Sequence, residues 1–368
     1  MTEKQKLIEV AKVFFKLGTI AFGGPAAHIS MMEDEIVSKR KWMTQEHFLD
    51  LIGATNLIPG PNSTEMTMHC GHERAGWKGL FVAGFCFIFP AVVITGIFAW
   101  LYQEYGQLPK VEPFVYGIKP AVIAIILMAG YKLGKKAVKN KILAFLGVLA
   151  VAASLYGINE FIVLFGCGIF GLLVFLLQKN ANTLPSFIPL ILLQNTEVSK
   201  IFLTFLKIGA ILYGSGYVLF AFLDAELVAN GWLTRQVLID AVAVGQITPG
   251  PVLSTATFIG WQMHGLPGAL AATLGIFLPS FIFVLVINPL IPKMRKSKNI
   301  RSFLDAVNIA AVALILTVCI EMGKDTITDW KSATITILSL IIVFIFKKVN
   351  SAMIVVGGAI FGYLLFLI

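Results

Sequence analysis

The stretch Ile58-Pro59-Gly60-Pro61-Asn62-Ser63-Thr64-Glu65 decides the fold, because its centre occurs twice. Thr248-Pro249-Gly250-Pro251 repeats it 190 positions further along the chain. The surroundings repeat as well: residues 14–18 match residues 205–209, and Phe89-Pro90 matches Leu278-Pro279. A chain that repeats over such a long period is an internal duplication. Here the duplication keeps helix-breaking residues at matching places.

Composition places both copies in a lipid bilayer. Of the 368 residues, 57% are hydrophobic and 13% are charged, against about 25% charged in ordinary soluble domains. Several apolar runs approach or reach the ~20 residues that span a membrane: 79–102, 114–131, 142–156, 161–178, 266–289, 303–320, 333–346 and 352–368. The sequence therefore predicts an all-α, polytopic membrane protein. The net charge of +9 is attributed to cytoplasmic loops and not to nucleic-acid binding.

Loop charges predict that the two copies are inverted. Residues 132–141 carry five lysines, whereas their copy, residues 321–330, carries three acidic residues and one lysine. Residues 293–301 carry five basic residues, and their copy, residues 104–112, is nearly neutral. Because basic loops stay in the cytoplasm, equivalent loops are expected on opposite sides. The predicted organisation is a transmembrane half at 1–178, a linker at 179–200 and an inverted half at 201–368.

Residues 7–74 and their copy, 201–264, are too interrupted to be simple spans. They are expected to form broken or hairpin helices that enter the membrane and return, which requires surrounding protein or a water-filled cavity. Paired interrupted segments in a duplicated membrane protein are typical of a transporter's binding site.

The Pro-Gly-Pro turns predict an anion site. Pro59 ends the helix expected over residues 48–57, Gly60 permits the turn, and Pro61 suits the first position of a new helix. A helix N-terminus has unpaired N–H groups and about half a positive charge, so it attracts anions. The predicted binding residues around the two turns are Gly60, Pro61, Asn62, Ser63, Thr64, Gly250, Pro251, Ser254 and Thr255. The alternative for a single turn is a simple kink, whereas two matched turns favour a site.

A second pair of breaks precedes the turns. Gly23, Gly24 and Pro25 interrupt one segment, and Gly214 and Ser215 interrupt its copy. They are predicted either to build the site or to let helices pack closely, and the two roles are compatible.

Charged residues in the interrupted regions are further candidates. Lys16 and Lys207 match each other; they are predicted as counter-charges for an anion or as side chains that reach the interface. Asp50 and Asp240 also match, and they could cap, pair with a lysine or carry protons. Glu65 has no acidic copy; it is a proton-coupling candidate or a favourable charge in the first helical turn.

The four scattered cysteines lack metal-ligand spacing, and no cofactor, metal or catalytic residue is expected.

At these motifs the chain resembles the chromate ion transporter family. Residues 22–25, both Pro-Gly-Pro turns and residues 75–79 through Pro90 carry the resemblance, with residues 213–216 a degenerate form. The resemblance covers essentially the whole chain. It implies a multi-pass inner-membrane protein, not an enzyme, that exports chromate by alternating access, with sulfate as a related oxyanion and proton antiport as one coupling scheme.

Three hypotheses stay open on the residues alone. The first is a secondary transporter of tetrahedral oxyanions. The second is a transporter or channel for another small anion or metabolite, and the third is a membrane enzyme or assembly partner. The sequence also leaves open whether two protomers associate as a homodimer.

Overall fold

The chain is described from a computed structural model. It describes residues 1–22, 24–106, 108, 111–177, 197–213, 216–287, 294, 297–346 and 349–367. Within these residues every regular element is helical.

The helices of the first half are α1 (Glu3–Ile20), α2 (Gly24–Met32), α3 (Gln45–Thr55), α4 (Asn62–Tyr105), α5 (Glu112–Ala137), α6 (Lys141–Leu155) and α7 (Glu160–Leu177). Those of the second half are α8 (Glu197–Ile211), α9 (Leu219–Leu223), α10 (Arg235–Ile247), α11 (Thr255–Ile287), α12 (Lys298–Thr326), α13 (Trp330–Ile345) and α14 (Ser351–Phe366). Two π-helical segments, Glu33–Lys39 and Asp224–Val228, occupy equivalent places after α2 and α9.

The polytopic all-α prediction is confirmed. Each predicted apolar run falls on a helix, namely α4 to α7 and α11 to α14. Among the described residues, α4, α5, α11 and α12 are long and apolar enough to cross a membrane, and α6, α7, α13 and α14 are shorter apolar helices. Their outward faces are rich in exposed leucine, isoleucine and phenylalanine. An apolar outer surface of this kind suits lipid rather than water.

The interrupted regions form helical hairpins at equivalent positions. In α4 the backbone leaves helical geometry at Ala75 and Gly76, where the glycine φ is +63°. Beyond this point Gly79 returns to pack against Gly71. A straight helix would separate these residues by about 12 Å, so the chain reverses direction here. In α11 the break lies at 264–265, and Gly260 packs against Gly268 in the same way.

Equivalent helices of the two halves pack on each other. The α5 helix lies between α12, α13 and α14, and α12 packs against α6 and α7. Gly130 of α5 faces Ile315 of α12, and Gly134 faces Val312. Along this contact the residue numbers increase on α5 while they decrease on α12, so the two helices run antiparallel.

Small residues allow the closest helix contact with α14. Gly117 of α5 meets the backbone of Gly358 and Gly362. These two glycines are four residues apart on one helix face, the spacing that lets transmembrane helices approach closely. Because α5 packs against helices of the second half and α12 packs against helices of the first half, these contacts hold the two halves together.

Sequence reasoning placed some boundaries slightly differently. The helix expected over 48–57 is α3, Gln45–Thr55, and Pro61 caps α4 instead of opening it. Helix ends commonly shift by one or two residues. The helix α8 begins at Glu197, inside the expected linker, whose residues 179–196 lie outside the described part of the chain.

Candidate functional site

The two Pro-Gly-Pro turns are each held by the other half of the protein. The Gly60 N–H donates to the Leu212 carbonyl at 2.7 Å, and the Gly250 N–H donates to the Ala21 carbonyl at 2.9 Å. Leu212 directly follows α8, and Ala21 directly follows α1, so each turn docks on the chain break of the opposite half. This reciprocal contact brings both predicted turns, together with the ends of α1 and α8, into one region at the interface between the halves.

Glycine is required at both turns. The φ angles are +137° at Gly60 and +85° at Gly250, in a region that other residues adopt only with strain. A side chain at Gly60 would collide with the Glu65 carboxylate and approach the Ser280 hydroxyl at 2.6 Å. A side chain at Gly250 would lie 2.9 Å from the Ala91 methyl.

The N-terminus of α4 is buried and rich in donors. The first N–H groups of a helix cannot bond within that helix. The N–H groups of Thr64 and Glu65 donate to the Pro61 carbonyl, so the free donors are the N–H groups that precede them. Thr64 is fully buried, and its hydroxyl has no hydrogen-bond partner among the described residues. The hydroxyl of Ser280 is in the same state. Buried donors in native proteins are normally satisfied, so both hydroxyls are candidates to bind a ligand.

The equivalent end in the second half is already satisfied. The Ser254 hydroxyl accepts from Thr95 at 3.1 Å, and the Thr255 hydroxyl donates to the Val252 carbonyl at 2.7 Å. A short 3₁₀ segment, Val252–Ser254, also precedes α11. Among the described hydroxyls at the two turns, those without partners therefore lie at the turn of the first half.

Glu65 lies beside the Gly60 turn. The side chain is 0% exposed, and neither carboxylate oxygen has a hydrogen-bond partner among the described residues. Ser280 reaches the same side of Gly60 from α11. Burying an ionised carboxylate without a partner is costly, so this group must either hold a proton or meet another charge.

His28 ties three parts of the site together. Its Nε2–H donates to the Ala21 carbonyl at 3.1 Å, and this carbonyl also accepts from Gly250. With the proton on Nε2, Nδ1 accepts from the Ser63 hydroxyl at 3.2 Å. The ring is 1% exposed and packs edge-on against Phe87. His28 thus joins the first break, the start of α4 and the second Pro-Gly-Pro turn.

Of the predicted break residues, Gly24 and Pro25 are described, and they lie nearby. Gly24 begins α2 with φ +78°, and a side chain there would lie 3.2 Å from the Tyr217 hydroxyl of the other half. Pro25 follows in the first turn of α2. Gly23, Gly214 and Ser215 lie outside the described residues.

The two predicted lysines form matched ion pairs. Lys16 lies 3.5 Å from Glu35, and Lys207 lies 2.7 Å from Glu226. Their side chains are 56% and 50% exposed, and Lys207 also lies over the Phe161 ring. Each lysine joins its helix to the following π-helical segment. This geometry does not support the expectation that they face a bound anion, because carboxylates already neutralise them.

The ion pairs also affect Glu35. Burial opposes ionisation of this carboxyl, but Lys16, Arg40 and Lys39 together lower the pKa of Glu35 below its usual value. The pair is therefore ionised at neutral pH and acts as a structural clamp.

The two matched aspartates differ in their surroundings. Asp240 on α10 is buried, with Lys119 of α5 at 3.3 Å, and it accepts a hydrogen bond of 2.6 Å from the Tyr102 hydroxyl of α4. Asp50 lies half-buried on α3. Of the three roles expected for Asp240, pairing with a lysine is the one the structure shows.

An open cavity of about 460 Å³ adjoins the first Pro-Gly-Pro turn. It lies between the end of α3, the end of α5 and the start of α12, and its polar lining is Asn56, Lys136, Lys139, Arg301, Asp305 and Asn308. Lys139 pairs with Asp305 at 2.6 Å. The two basic loops identified in the sequence therefore line one cavity on the same face.

Asn56 connects the cavity to the buried turn. Its side-chain oxygen accepts a 2.8 Å hydrogen bond from the Asn62 amide, at the first position of α4. The predicted binding residue Asn62 thus stands between the cavity and the helix N-terminus.

Sequence reasoning missed Ser280, Tyr102 and the connecting role of His28. Ser280 carried a usable signal, because a hydroxyl follows the duplicated Pro279 where the first copy has Ala91. Tyr102 carried none, since its contact with Asp240 joins residues 138 positions apart.

Comparison with known proteins decides the family. The sequence profile of the chromate transporter family matches residues 8–172 and again residues 199–363. The chain belongs to the chromate transporter family. It is thus a multi-pass membrane transport protein of the inner membrane and not an enzyme.

Relatives cover nearly the full chain. A chromate transport protein of Cupriavidus metallidurans is 32% identical over 97% of this chain and 92% of its own length. A probable chromate transport protein of Synechococcus elongatus is 31% identical over 97% and 95%. A chromate transport protein of Pseudomonas aeruginosa is 27% identical over 96% and 91%. No solved structure matches the chain.

Proposed function

We propose that the protein is a secondary transporter that exports chromate, with sulfate as a related substrate, by alternating access. The observation that carries the proposal is the reciprocal docking of the two Pro-Gly-Pro turns on the opposite half. This contact places a helix N-terminus at the interface between two repeated units, where transporters of this architecture bind substrate.

The chemistry of the first turn suits a tetrahedral dianion. Free N–H groups at the start of α4 and the buried hydroxyls of Thr64 and Ser280 supply donors to several oxygens at once. Charge-assisted bonds from such donors are about twice as strong as neutral ones. We assign the oxyanion to this turn, with Asn62 at its entrance. Lys16 and Lys207 are assigned to the supporting ion pairs.

Inverted halves provide the means to alternate. The antiparallel contact between α5 and α12, together with the two basic loops around one cavity, supports the inversion. Basic loops stay in the cytoplasm, so the open cavity faces the cytoplasm. Chromate enters there, guided by Lys136 and Arg301, and leaves through the opposite face.

We further propose that Glu65 carries a coupled proton. The carboxylate lies at the turn that holds the anion, where an approaching dianion favours the protonated form. Protonation and anion binding would then occur together, so this carboxyl supports co-transport of a proton with the anion rather than proton antiport.

The test is uptake of labelled chromate into proteoliposomes with and without a pH gradient. Thr64→Val should reduce flux, because it removes a donor with almost no change in shape. Thr317→Val is the matched control, since that hydroxyl bonds the Ala313 carbonyl of its own helix. Equal flux in both variants would refute the assignment of Thr64.

Two further results would redirect the proposal. Glu65→Gln is expected to retain chromate exchange but lose acceleration by the pH gradient, and unchanged acceleration would refute proton coupling. Steady downhill leak of another small anion, with no chromate flux, would indicate a channel or a transporter of different substrate.

A further inference from the structure

The cavity has a closed counterpart in the other half. Asn56 precedes Pro59 by three residues, and Gln246 precedes Pro249 by three residues. Asn56 is exposed in the cavity, whereas Gln246 is only 4% exposed. The same chain position is therefore open on one face and sealed on the other.

A buried ion pair occupies the closed side. Asn308 lines the open cavity, and its counterpart in the first half, 189 positions earlier, is Lys119. Lys119 pairs with Asp240, which also accepts the hydrogen bond from Tyr102. These three residues come from α5, α10 and α4, so the cluster joins both halves. The corresponding ion pair cannot form on the open side, because Asn308 is uncharged.

Two more hydrogen bonds close the same face. The Gln262 amide donates to the Ala99 carbonyl at 2.9 Å, and the Trp261 indole N–H donates to the Gln103 side chain at 2.8 Å. Both join α11 to the part of α4 that carries Tyr102.

We propose that Lys119 is the cation of a second site for tetrahedral dianions, closed in this conformation and opening to the face opposite the cavity. Asp240 and Tyr102 act as its gate. When the gate opens, the Lys119 ammonium loses its carboxylate and receives the oxyanion instead. When the gate closes, the Asp240 carboxylate replaces the anion beside the Lys119 ammonium. Release of the anion and closure of the gate are therefore the same step. The ligand class rests on the proposed function, whereas the closed face is tested without reference to any substrate.

The experiment measures thiol reactivity at Gln246 on the closed face; the matched position Asn56 should stay unlabelled, because under the proposed function its cavity faces the cytoplasm. The native Cys70, Cys86, Cys167 and Cys319 are replaced by alanine, and Asn56→Cys or Gln246→Cys is introduced. A membrane-impermeant maleimide is applied to intact cells. The Gln246→Cys thiol should react slowly, and Asp240→Asn should raise its rate by at least about tenfold as the open population grows. Asp305→Asn, which breaks the Lys139 pair on the open side, is the matched control and should leave that rate unchanged.

Milder and neutral variants keep the test decisive. Tyr102→Phe removes a single hydrogen bond and should give a smaller acceleration, which guards against misfolding of the aspartate variant. No acceleration in either variant, with normal membrane levels and gel-filtration profile, would overturn the gate.

The anion is tested in the same background. Chromate and sulfate should protect the Gln246→Cys thiol when Asp240→Asn is present, and adding Lys119→Gln should abolish protection. Acceleration without protection by either anion would overturn the anion site. Protection by sulfate in a protein that carries no chromate flux would support the site and refute the proposed substrate.

Discussion

Replacing Gly250 by alanine tests whether the second Pro-Gly-Pro turn is docked on the first half. Gly250 has φ +85°, and its new methyl would lie 2.9 Å from the Ala91 methyl and 3.3 Å from the Gly18 carbonyl. Neither neighbour is the movable end of a long side chain. Gly76 is the matched control, because its φ is +63° but its methyl would meet nothing within 4 Å.

The expected magnitudes follow from these two geometries. Alanine at such a positive-φ position costs about 1–3 kcal/mol, and both variants incur this strain. Overpacking adds about 1–3 kcal/mol at Gly250 alone. We therefore expect Gly76→Ala to lose about 1–3 kcal/mol of stability and Gly250→Ala to lose about 2–6 kcal/mol.

Thermal unfolding in detergent, followed by tryptophan fluorescence, shows which of the two variants is less stable. Chromate flux in proteoliposomes measures the functional effect. Gly250→Ala should also reduce flux, because the turn must shift away from the Ala21 carbonyl that it now contacts at 2.9 Å. Equal melting temperatures for the two variants, with full flux in both, would refute the docking of this turn.

Three other substitutions test separate parts of the structure. Lys16→Gln breaks a half-exposed ion pair and should cost at most about 1 kcal/mol with flux retained; loss of flux in a folded protein would restore Lys16 as a site residue. Glu35→Gln should lower the melting temperature at pH 7, because a lowered pKa stabilises the fold above the unfolded value of about 4.3. That loss should vanish as the pH falls through the lower folded pKa, and a pH-independent loss would contradict the ion-pair explanation. His28→Ala removes bonds to Ser63 and Ala21 and should cost about 1–3 kcal/mol with reduced flux; a melting temperature equal to that of the unmodified protein would show that the histidine does not join these elements.

Local signals in the sequence predicted the architecture well. Apolar runs marked the long helices, and glycine, in several places beside proline, marked the breaks around the site. These features act over a few residues, so one sequence is enough to recognise them. Duplication added more, because a matched pair of turns is unlikely to arise as two unrelated kinks. The basic residues of segments 132–141 and 293–301 also predicted that these two segments lie on the same face of the protein.

Contacts between the halves could not be predicted in the same way. Nothing local indicates that Gly60 bonds to Leu212 or that Lys119 meets Asp240, since these pairs form only when distant helices pack. For the same reason the partners of Lys16 and Lys207 could not be predicted. Each faces a carboxylate 19 residues away, brought close by the break and the π-helical segment between them. An intramembrane lysine predicts a partner, but the sequence did not say which one.

The backbone of the two halves is alike, but the chemistry at their turns is not. Glu65 corresponds to Thr255, His28 corresponds to Leu219, and the Lys119–Asp240 ion pair has no counterpart, because Asn308 replaces the lysine. Under the proposed inversion, halves that were identical in every residue would give inward-open and outward-open states of equal free energy. A protein can then favour one state only through residues that differ between its halves. On this proposal the matched breaks supply two interchangeable conformations, and the unmatched carboxyl, imidazole and ion pair set the balance between them. Substitutions at the matched glycines should impair both states together, whereas Asp240→Asn should shift the balance toward the outward-open state.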